Sequence, residues 1–467
     1  MREDIVSIVS TDCYDYSHVE AIEESVFKAI EMLEMDSQNI GTPDWSPFTE
    51  YVKPGMTVLI KPNLVMDKNH IRENGTDCLY THPVVVEAVI KLIIKALNGK
   101  GRIVIGDAPM QECDFENLLQ TSGYNELINK YSTNDLKVEI IDFRALISKM
   151  KNGIHVSEIV NDRSGTVIDL NSESDFCDLT ENQYKKLRIT NYDPGILRMH
   201  HNSKTNEYSI SDYILEADLI INMPKPKSHK KAGVTISLKN FVGVNTRKEY
   251  LPHHINGSLE EGGDEYAHKN RFHNLMNILL DQKNICEARR SYREAFVFLV
   301  FARICHKILS LNPKHSFEGS WYANDTISRT ISDINRIVRY VDINGRMQEA
   351  IQRNVFVVAD MIVAGEGEGP VSPKPKKVGI IAAGMNSVCF DEAIATIMGY
   401  DYRKIPSIVR SAKKNAKYPL VRKEHKTRIV SNNVHWNREI DDIEKAYTLS
   451  FEPSSGWKGH IELKDFL

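Results

Sequence analysis

The middle of the chain carries a dense group of basic side chains directly after a short apolar run. Residues 219–222 form a run typical of a buried strand, and Lys225, Lys227, His229 and Lys239 follow it. Neighbouring lysines lower one another's pKa, and a desolvated lysine can serve as a nucleophile or a base. We therefore predict that Lys225 and Lys227 bind a small anionic molecule. In the same site, His229 is the predicted acid/base catalyst and Lys239 the predicted nucleophile. A solvated basic loop is the alternative interpretation of this segment.

Two other apolar runs also end in polar residues. Lys61 and Asn63 follow the run MTVLI, and Asp107 follows the run RIVI. Ligands of open parallel sheets bind at the carboxyl ends of strands, so these residues are expected to line the same cleft. Lys61, Asn63 and Asn240 are predicted to bind the substrate. Asp107 is a second acid/base candidate, and an ion-pair partner of the lysines is its alternative role.

Two adjacent histidines, His253 and His254, lie in the motif YLPHH. Histidine is a common ligand of transition metals, so both are candidate ligands of a divalent metal. Adjacent residues of a strand point to opposite faces, however, which argues against one metal bound by both side chains. A metal is therefore an optional part of the predicted site.

The motif GEGEGP, at residues 365–370, predicts a glycine-rich loop whose backbone can approach a ligand closely. Its carboxylates, Glu366 and Glu368, are candidates for binding a substrate through a cation or a sugar hydroxyl. The motif lacks the Gly-Lys-Ser/Thr of a P-loop and the spacing of a dinucleotide fingerprint. A plain connector is the alternative interpretation.

The hydrophobic periodicity predicts an α/β fold that positions these residues. Strand, helix and strand at residues 56–60, 83–97 and 102–105 form the pattern of a βαβ unit in a parallel sheet. We predict two α/β lobes with a polar insertion. Residues 1–50 are the predicted N-terminal extension, 51–255 the first α/β lobe with an insertion near 153–211, 256–345 a helical connecting region, and 346–467 the C-terminal α/β lobe.

The overall composition narrows the class of partner. The 467 residues have a formal net charge of −4, which gives no cationic field for nucleic acid. The most apolar run, AFVFLVFA at 295–302, is far shorter than the roughly 18 residues of a membrane span. It predicts a buried helix, with an interfacial amphipathic helix as the alternative. The acidic N-terminus has no export signal, so the predicted location is cytoplasmic.

Several motifs together resemble the family known as domain of unknown function 362. They include IKPNLV at 60–65, GDAP at 106–109, ADLIINMPKPKSH at 217–229 and GVTISLKNFVGV at 233–244. Some members of that family carry a ferredoxin-like iron–sulfur module. The seven cysteines of this chain never form a C-x-x-C pair, so no iron–sulfur cluster is expected here.

The spacing of His229, Lys239 and His253 or His254 is also similar to a pattern of the nickel-pincer lactate racemase family. The corresponding residues there are a catalytic histidine, a lysine bound covalently to the pincer cofactor, and a nickel ligand. The resemblance implies that His229 is the base, Lys239 the covalent anchor, and His253 or His254 the metal ligand. Asp107 lies where that family has a second catalytic histidine, so the resemblance implies a shared scaffold more than shared chemistry.

These observations predict an enzyme that acts on a small anionic metabolite, with racemase-like, isomerase-like or oxidoreductase-like chemistry. A divalent metal or a nickel-pincer cofactor is optional in this interpretation. A non-catalytic protein that binds an anionic or phosphorylated ligand is one alternative, and a phosphate- or sugar-handling transferase is another. The sequence indicates no substrate and no oligomeric state.

Overall fold

The computed structural model describes residues 3–160, 165–312, 315–413, 417–422 and 424–464. Its strands are β1 (Ile5–Ser10), β2 (Thr57–Pro62), β3 (Gly101–Asp107), β4 (Leu136–Asp142), β5 (Leu146–Lys151), β6 (Ile154–Ile159), β7 (Thr166–Asp169), β8 (Leu187–Arg188), β9 (His201–Asn202), β10 (Thr205–Ile210), β11 (Leu219–Met223), β12 (Lys227–His229), β13 (Gly233–Thr235), β14 (His254–Ile255), β15 (Asn354–Glu368), β16 (Ser372–Gly384) and β17 (Arg428–Ser431).

The α-helices of the same residues are α1 (Val19–Glu31), α2 (Pro83–Ala96), α3 (Phe115–Ser122), α4 (Tyr124–Tyr131), α5 (Glu181–Lys186), α6 (Pro194–His200), α7 (Asp212–Leu215), α8 (Ser237–Asn240), α9 (Arg271–Ala288), α10 (Tyr292–Leu309), α11 (Thr326–Tyr340), α12 (Ser387–Met398) and α13 (Pro406–Ser411).

One large sheet organises the fold. Its strands lie in the order β17-β1-β16-β15-β11-β2-β3-β4, and the hairpin β12–β13 joins it beside β15. The five strands from β15 to β4 are parallel to one another. Strand β16 runs antiparallel between β15 and β1. The structure thus confirms the predicted α/β class with a largely parallel sheet.

Both faces of the central strands are buried, as their continuous apolar runs require. Leu59 and Val104 face a core that includes helices α11 and α12. Their neighbours Ile60 and Ile103 face the opposite core, which includes helices α1 and α2. Helix α2 begins with Pro83, which has no N–H to leave unpaired at a helix start.

The strand order reverses beside β2. The chain passes from β2 through α2 to β3 on one side, whereas β11 pairs with the other edge of β2. Ligands of open α/β sheets bind outside the carboxyl ends of strands at such a switch point. The ends of β2 and β11 are therefore the favoured place for a site in this fold.

The sheet draws strands from segments that the sequence divides into separate lobes. Residues 1–50, predicted as an N-terminal extension, supply β1, which lies between β16 and β17. The predicted polar insertion supplies a smaller sheet of β7, β10 and β9, and also β6, which pairs with β5 just before the insertion. The large sheet therefore contains strands from the predicted N-terminal extension and from both predicted lobes.

The predicted loop GEGEGP differs from what the structure shows. Strand β15 continues to Glu368 and pairs with β16 through Gly365 and Gly367. A Cβ on Gly365 would lie 2.8 Å from the Cβ of Lys227, so glycine is needed where β12 packs against β15. Gly365 therefore serves a close contact between strands rather than a loop.

The predicted buried helix at 295–302 is only half buried. Ala295 and Ala302 of α10 pack inward, but Phe296 and Phe301 on the other side are exposed. A helix with one exposed face usually has polar residues between its apolar ones, whereas residues 295–302 are all apolar. The sequence of this run therefore did not show which side of the helix is exposed. Within the described residues, none of the helices combines the length and apolar character needed to cross a bilayer.

Candidate functional site

Three asparagines connect the strand ends at the switch point. Asn63 Nδ2 donates to Asn240 Oδ1 at 3.0 Å. Asn240 Nδ2 in turn donates to Asn222 Oδ1 at 2.7 Å and to the carbonyl of Lys61 at 3.1 Å. Asn222 Nδ2 donates to Ser237 Oγ at 2.8 Å. The network joins β2, β11 and α8, so the predicted residues Lys61, Asn63 and Asn240 lie side by side.

Lys61 and Asp107 form a buried ion pair between the ends of β2 and β3. Lys61 Nζ lies 2.7 Å from Asp107 Oδ1, and both side chains are almost inaccessible to solvent. Asp107 Oδ2 accepts the backbone N–H of Leu64 at 2.7 Å. Burial lowers the pKa of Lys61, and the carboxylate of Asp107 opposes that shift. The geometry therefore favours the ion-pair role of Asp107 over an acid/base role.

A glycine lets the chain pass directly over this pair. A Cβ on Gly243 would lie 3.0 Å from Lys61 Nζ and would collide with Asp107 Oδ1. The carbonyl of Gly243 also accepts the N–H of Ala108 at 2.8 Å. The end of the lysine-rich segment is thus pinned to the end of β3.

Lys227 extends from β12 into the same group, where no carboxylate of the described residues pairs with it. Its Nζ donates to Asn63 Oδ1 at 2.9 Å and also to the carbonyl of Leu79. Burial lowers the pKa of Lys227 to about 7. This amine is therefore partly neutral near neutral pH, although it has no contact with solvent.

Lys225 belongs to a separate buried cluster. Its Nζ lies 2.9 Å from Asp360 Oδ2 and also donates to the hydroxyl of Tyr16. Tyr16 donates to the other oxygen of Asp360 at 2.7 Å, and its ring stacks on His82. The charge of Lys225 is therefore balanced inside the protein, where it joins β1, β11 and β15 rather than facing a ligand.

Lys239 differs from the other lysines because its amine has no partner. Its side chain is partly exposed, and no hydrogen-bond acceptor or carboxylate contacts its Nζ in the described part of the chain. Burial lowers the pKa of Lys239 to about 7, and the charge of Lys248 acts in the same direction. The negative charge of Asp107 only partly opposes this shift. A substantial fraction of this amine is therefore neutral at pH 7.

His229 has a fixed proton arrangement. Its Nδ1 accepts the backbone N–H groups of Lys231 at 3.0 Å and Ala232 at 3.1 Å. A nitrogen that accepts two N–H groups carries no proton, so the ring proton lies on Nε2. Burial, followed by the charge of Lys239, holds the pKa of His229 well below its usual range. The side chain is therefore a neutral hydrogen-bond donor.

His253 has the opposite arrangement. Its Nδ1 donates to the carbonyl of Leu251 at 2.7 Å, which leaves the lone pair on Nε2. Burial, followed by the charge of Lys231, holds the pKa of His253 well below its usual range, and Lys239 contributes as well. A backbone carbonyl that fixes one imidazole nitrogen typically prepares the other as a metal ligand or a base.

His254, the first residue of β14, makes contacts different from those of His253. Its Nε2 lies 3.0 Å from Asn256 Oδ1. Its Nδ1 is buried without a hydrogen-bond partner in the described residues. Burial lowers the pKa of His254 to about 3, so this ring is neutral.

The two predicted glutamates have structural partners. Glu366 Oε2 lies 2.9 Å from Lys376 Nζ and accepts the backbone N–H of Glu452 at 3.0 Å. Glu368 Oε1 accepts the backbone N–H of Ser455 at 2.7 Å. Both carboxylates therefore connect β15 to the C-terminal segment.

A carboxylate from α12 holds the short helix that carries Lys239 and Asn240. Asp391 accepts the backbone N–H groups of Ser237 at 2.8 Å and Leu238 at 3.1 Å. These are two of the free N–H groups at the start of α8. Asp391 thereby fixes the helix from which Lys239 projects.

Two basic residues of the site were not singled out from the sequence. Lys248 donates to the carbonyl of Ala108 at 2.7 Å, and burial lowers its pKa to about 8. Arg144 donates to the carbonyls of Met110 and Cys113 while its guanidinium pairs with Asp142. The position of Arg144 just after the short apolar stretch of β4 was the available signal. Lys248 has no comparable local signal.

The described residues contain one group of three metal-ligating side chains, and it lies away from the predicted histidines. Cys389, Glu392 and His425 bring their ligand atoms within 4.8 Å of one another. His425 Nε2 lies 3.0 Å from Glu392 Oε1, and Thr427 donates to the same carboxylate at 2.6 Å. An ion pair supported by a hydroxyl accounts for this geometry.

Comparisons with known proteins agree with the motifs at the strand ends. The family described as "Domain of unknown function (DUF362)" matches residues 58–159 and 143–396, which include the whole site. "Thylakoid-associated protein sll1697" of Synechocystis sp. is 24% identical over 193 residues, which are 41% of this chain and 40% of that protein. The aligned part is therefore less than half of that relative. The family match extends over more than half of the present chain, which belongs to the DUF362 family.

Proposed function

We propose that the protein is an enzyme that acts on a small anionic metabolite by acid/base chemistry centred on Lys239. The observation that carries this proposal is the amine of Lys239, which is partly exposed, has no partner in the described residues and has a pKa of about 7. A partly neutral amine at neutral pH can accept a proton or attack a carbonyl carbon. Lysines that only stabilise the fold are usually paired, as Lys61 and Lys225 are.

The two imidazoles near Lys239 supply complementary groups. His229 presents an N–H at Nε2, whereas His253 presents a lone pair at Nε2. We therefore assign hydrogen-bond acceptance to His253 and hydrogen-bond donation to His229, and we keep Lys239 as the nucleophile or base. Paired donor and acceptor groups support a racemase-like or isomerase-like reaction, in which one group removes a proton and another stabilises the charge that develops.

An excess of positive charge favours an anionic substrate. The charges of Lys231 and Lys248 both act on Lys239. In the described residues, Lys231 donates to the hydroxyl of Thr190 and Lys248 to the carbonyl of Ala108, and neither has a carboxylate within salt-bridge distance. A carboxylate or phosphate bound here would raise the pKa of all three lysines by favouring their charged forms. The substrate class that fits is a small carboxylic or phosphorylated acid.

A bound metal is compatible with the same residues. Lys239 could anchor a nickel-pincer cofactor through its amine, and His253 Nε2 has its lone pair free for the metal. When bound, such a cofactor would supply hydride transfer, whereas the protein groups would still orient and exchange protons. We treat the nickel-pincer mechanism as the second candidate, because acid/base chemistry needs only side chains of this protein.

We propose the cytoplasm as the location of the protein.

Lys239→Met is the direct test of the proposal. Wild-type protein would be incubated with pools of small carboxylic and phosphorylated acids, and depletion would be followed by mass spectrometry. We expect the variant to lose turnover at least 100-fold while keeping its melting temperature, because a nucleophile or base is removed. Lys68→Met, which removes an exposed lysine, is the matched control.

Binding without turnover would contradict the proposal. In that case Lys239→Met would lower affinity by the contribution of one charge, about tenfold, with no product in any pool. Protein from cells supplied with nickel, zinc or iron would be analysed for metal and by intact mass. The absence of both stoichiometric metal and an adduct on Lys239 would exclude the pincer cofactor.

A further inference from the structure

The helical hairpin of α9 and α10 leaves a broad apolar face uncovered. On α10 the exposed large side chains are Phe296, Val297, Val300, Phe301, Ile304 and Ile308. At about 100° per residue they fall within an arc of about 140°, opposite the buried Ala295, Leu299 and Ala302. Helix α9 adds Phe272, Leu275 and Ile278, which are also exposed.

The exposed apolar side chains of this face lie next to one another rather than singly. Isolated exposed hydrophobic residues are ordinary, but contiguous patches beyond a few hundred Å² mark a binding surface or a membrane contact. Phe296 and Phe301 are 44% and 54% exposed, and Ile304 is 52% exposed. Such side chains on adjoining turns of one helix form a continuous stripe. A stripe of this kind is typical of a surface that a partner or a bilayer covers.

The charges around the stripe identify the partner. The exposed charged side chains of residues 271–312 are one acid, Glu294, and six bases: Arg271, Arg289, Arg290, Arg293, Arg303 and Lys307. The chain as a whole has a net charge of −4, so this face is a cationic exception. The remaining acids of the hairpin are paired, Asp281 with Arg188 and Glu287 with Lys283. The face is thus complementary to an anionic surface.

We propose that the α9–α10 hairpin attaches the protein to an anionic lipid bilayer. The apolar stripe enters the boundary between headgroups and acyl chains, and the cations contact the headgroup phosphates. A second copy of the chain fits less well, because a two-fold interface would bring the same cations of both copies together. The hairpin lies on the membrane without spanning it.

Vesicle flotation of the full chain tests this proposal. The protein would be mixed with phosphatidylcholine vesicles and with vesicles that contain one third phosphatidylglycerol. We expect flotation with the anionic vesicles, little with the neutral ones, and release at high salt because screening weakens the attraction. Binding that is equal for both vesicle types, or absent from both, would overturn the proposal.

Two sets of variants separate the apolar and the charged contributions. Phe296→Ser/Phe301→Ser/Ile304→Ser should lower the partition coefficient at least tenfold by removing the inserted side chains. Arg303→Gln/Lys307→Gln should lower it about 25-fold on anionic vesicles, since each cation near such a surface contributes about fivefold. Ile343→Ser/Val434→Ser changes exposed apolar residues elsewhere and should leave binding unchanged.

The oligomeric state distinguishes the alternative occupant. Sedimentation of the wild type without vesicles should give a monomer, and all variants should keep the wild-type melting temperature because they change exposed residues. If the wild type is a dimer that the triple serine variant dissociates, and no vesicle binding is seen, the face belongs to a second copy. If the triple variant is unfolded, the charge variant alone decides, and its failure to reduce binding would overturn the proposal.

Discussion

The amine of Lys239 should react at neutral pH, unlike that of an ordinary lysine. Its pKa is lowered to about 7 by burial and by the charge of Lys248, whereas an unperturbed lysine titrates near 10.4. At pH 7 about half of the Lys239 amines are neutral, compared with about one in 2,500 for an ordinary lysine. The neutral fraction therefore differs about 1,000-fold.

The lower pKa also makes each neutral amine a weaker nucleophile. With a Brønsted slope of about 0.4–0.5, as known for thiols, the net advantage in rate is about 25- to 50-fold. The assay is brief acylation of the native protein with limiting acetic anhydride from pH 6 to 10, followed by peptide mass spectrometry. Lys68, which is 64% exposed at its side chain, is the reference in the same sample. In denaturant the advantage should disappear.

The pH profile carries the test, because its midpoint does not depend on access of the reagent. We expect the acylation of Lys239 to reach half its maximum near pH 7. Lys248→Met should move the midpoint to higher pH by removing a like charge, and Asp107→Asn should move it lower by removing an opposite one. A midpoint above pH 9, or one that Lys248→Met leaves unchanged, would refute the reasoning.

Three further predictions concern the buried group around the site, each measured as the free energy of unfolding in urea. Asp107→Asn leaves the ammonium of Lys61 buried without its carboxylate and should cost about 3–5 kcal/mol, whereas Glu31→Gln at an exposed pair should cost under about 1 kcal/mol. A similar loss from both would contradict the assignment. Gly243→Ala should cost about 1–3 kcal/mol because its methyl group meets Asp107, and a neutral result would show that the backbone can move. Lys227 has a lower pKa in the folded than in the unfolded chain, so between about pH 7 and 10 the unfolded chain binds the extra proton and stability rises with pH. Lys227→Met should remove up to about 1.4 kcal/mol per pH unit of that rise, and parallel profiles for wild type and variant would contradict the shift.

Local pattern was enough to locate the strand ends. The runs before Lys61, Asp107 and Asn222 are apolar and short, and chains of this kind place their carboxyl ends at one edge of a sheet. Strands β2, β3 and β11 therefore appear within one or two residues of the predicted positions. The proximity of Lys61, Asn63 and Asn240 follows from this arrangement of strands, so it could be predicted from the sequence.

The partners of the charged residues could not be predicted from the sequence. Lys225 was predicted to bind substrate, but the carboxylate of Asp360 balances its charge and the hydroxyl of Tyr16 accepts its hydrogen bond, and both partners are far away in sequence. No periodicity links residues of such different segments, so only the folded chain assigns these pairs. The same limit explains His229, whose donor role depends on two backbone N–H groups of its own turn.

For two segments, helix α10 and the motif GEGEGP, the local sequence was compatible with two structures, and only the packing in the folded chain distinguishes them. A run such as that of α10 is compatible with a core helix and with an interfacial helix, because each has many apolar residues per turn. The glycines of GEGEGP are similarly compatible with a loop and with close strand packing. In both cases the deciding quantity is the distance to a neighbouring element, which the local sequence does not encode.

The long separations along the chain within the asparagine and lysine network affect how the protein folds. Asn63 and Asn240 are 177 residues apart in sequence, and Tyr16 and Asp360 are 344 apart. Loops of that length close slowly, so the site should be completed late in folding, after β1, β2, β11 and β15 have paired. The backbone amides of Leu64 and Thr81 donate to Asp107 and to the carbonyl of Asn63 within the site, so we expect them to be among the slowest amides to exchange with solvent. Completion of the site should therefore depend on prior assembly of the sheet.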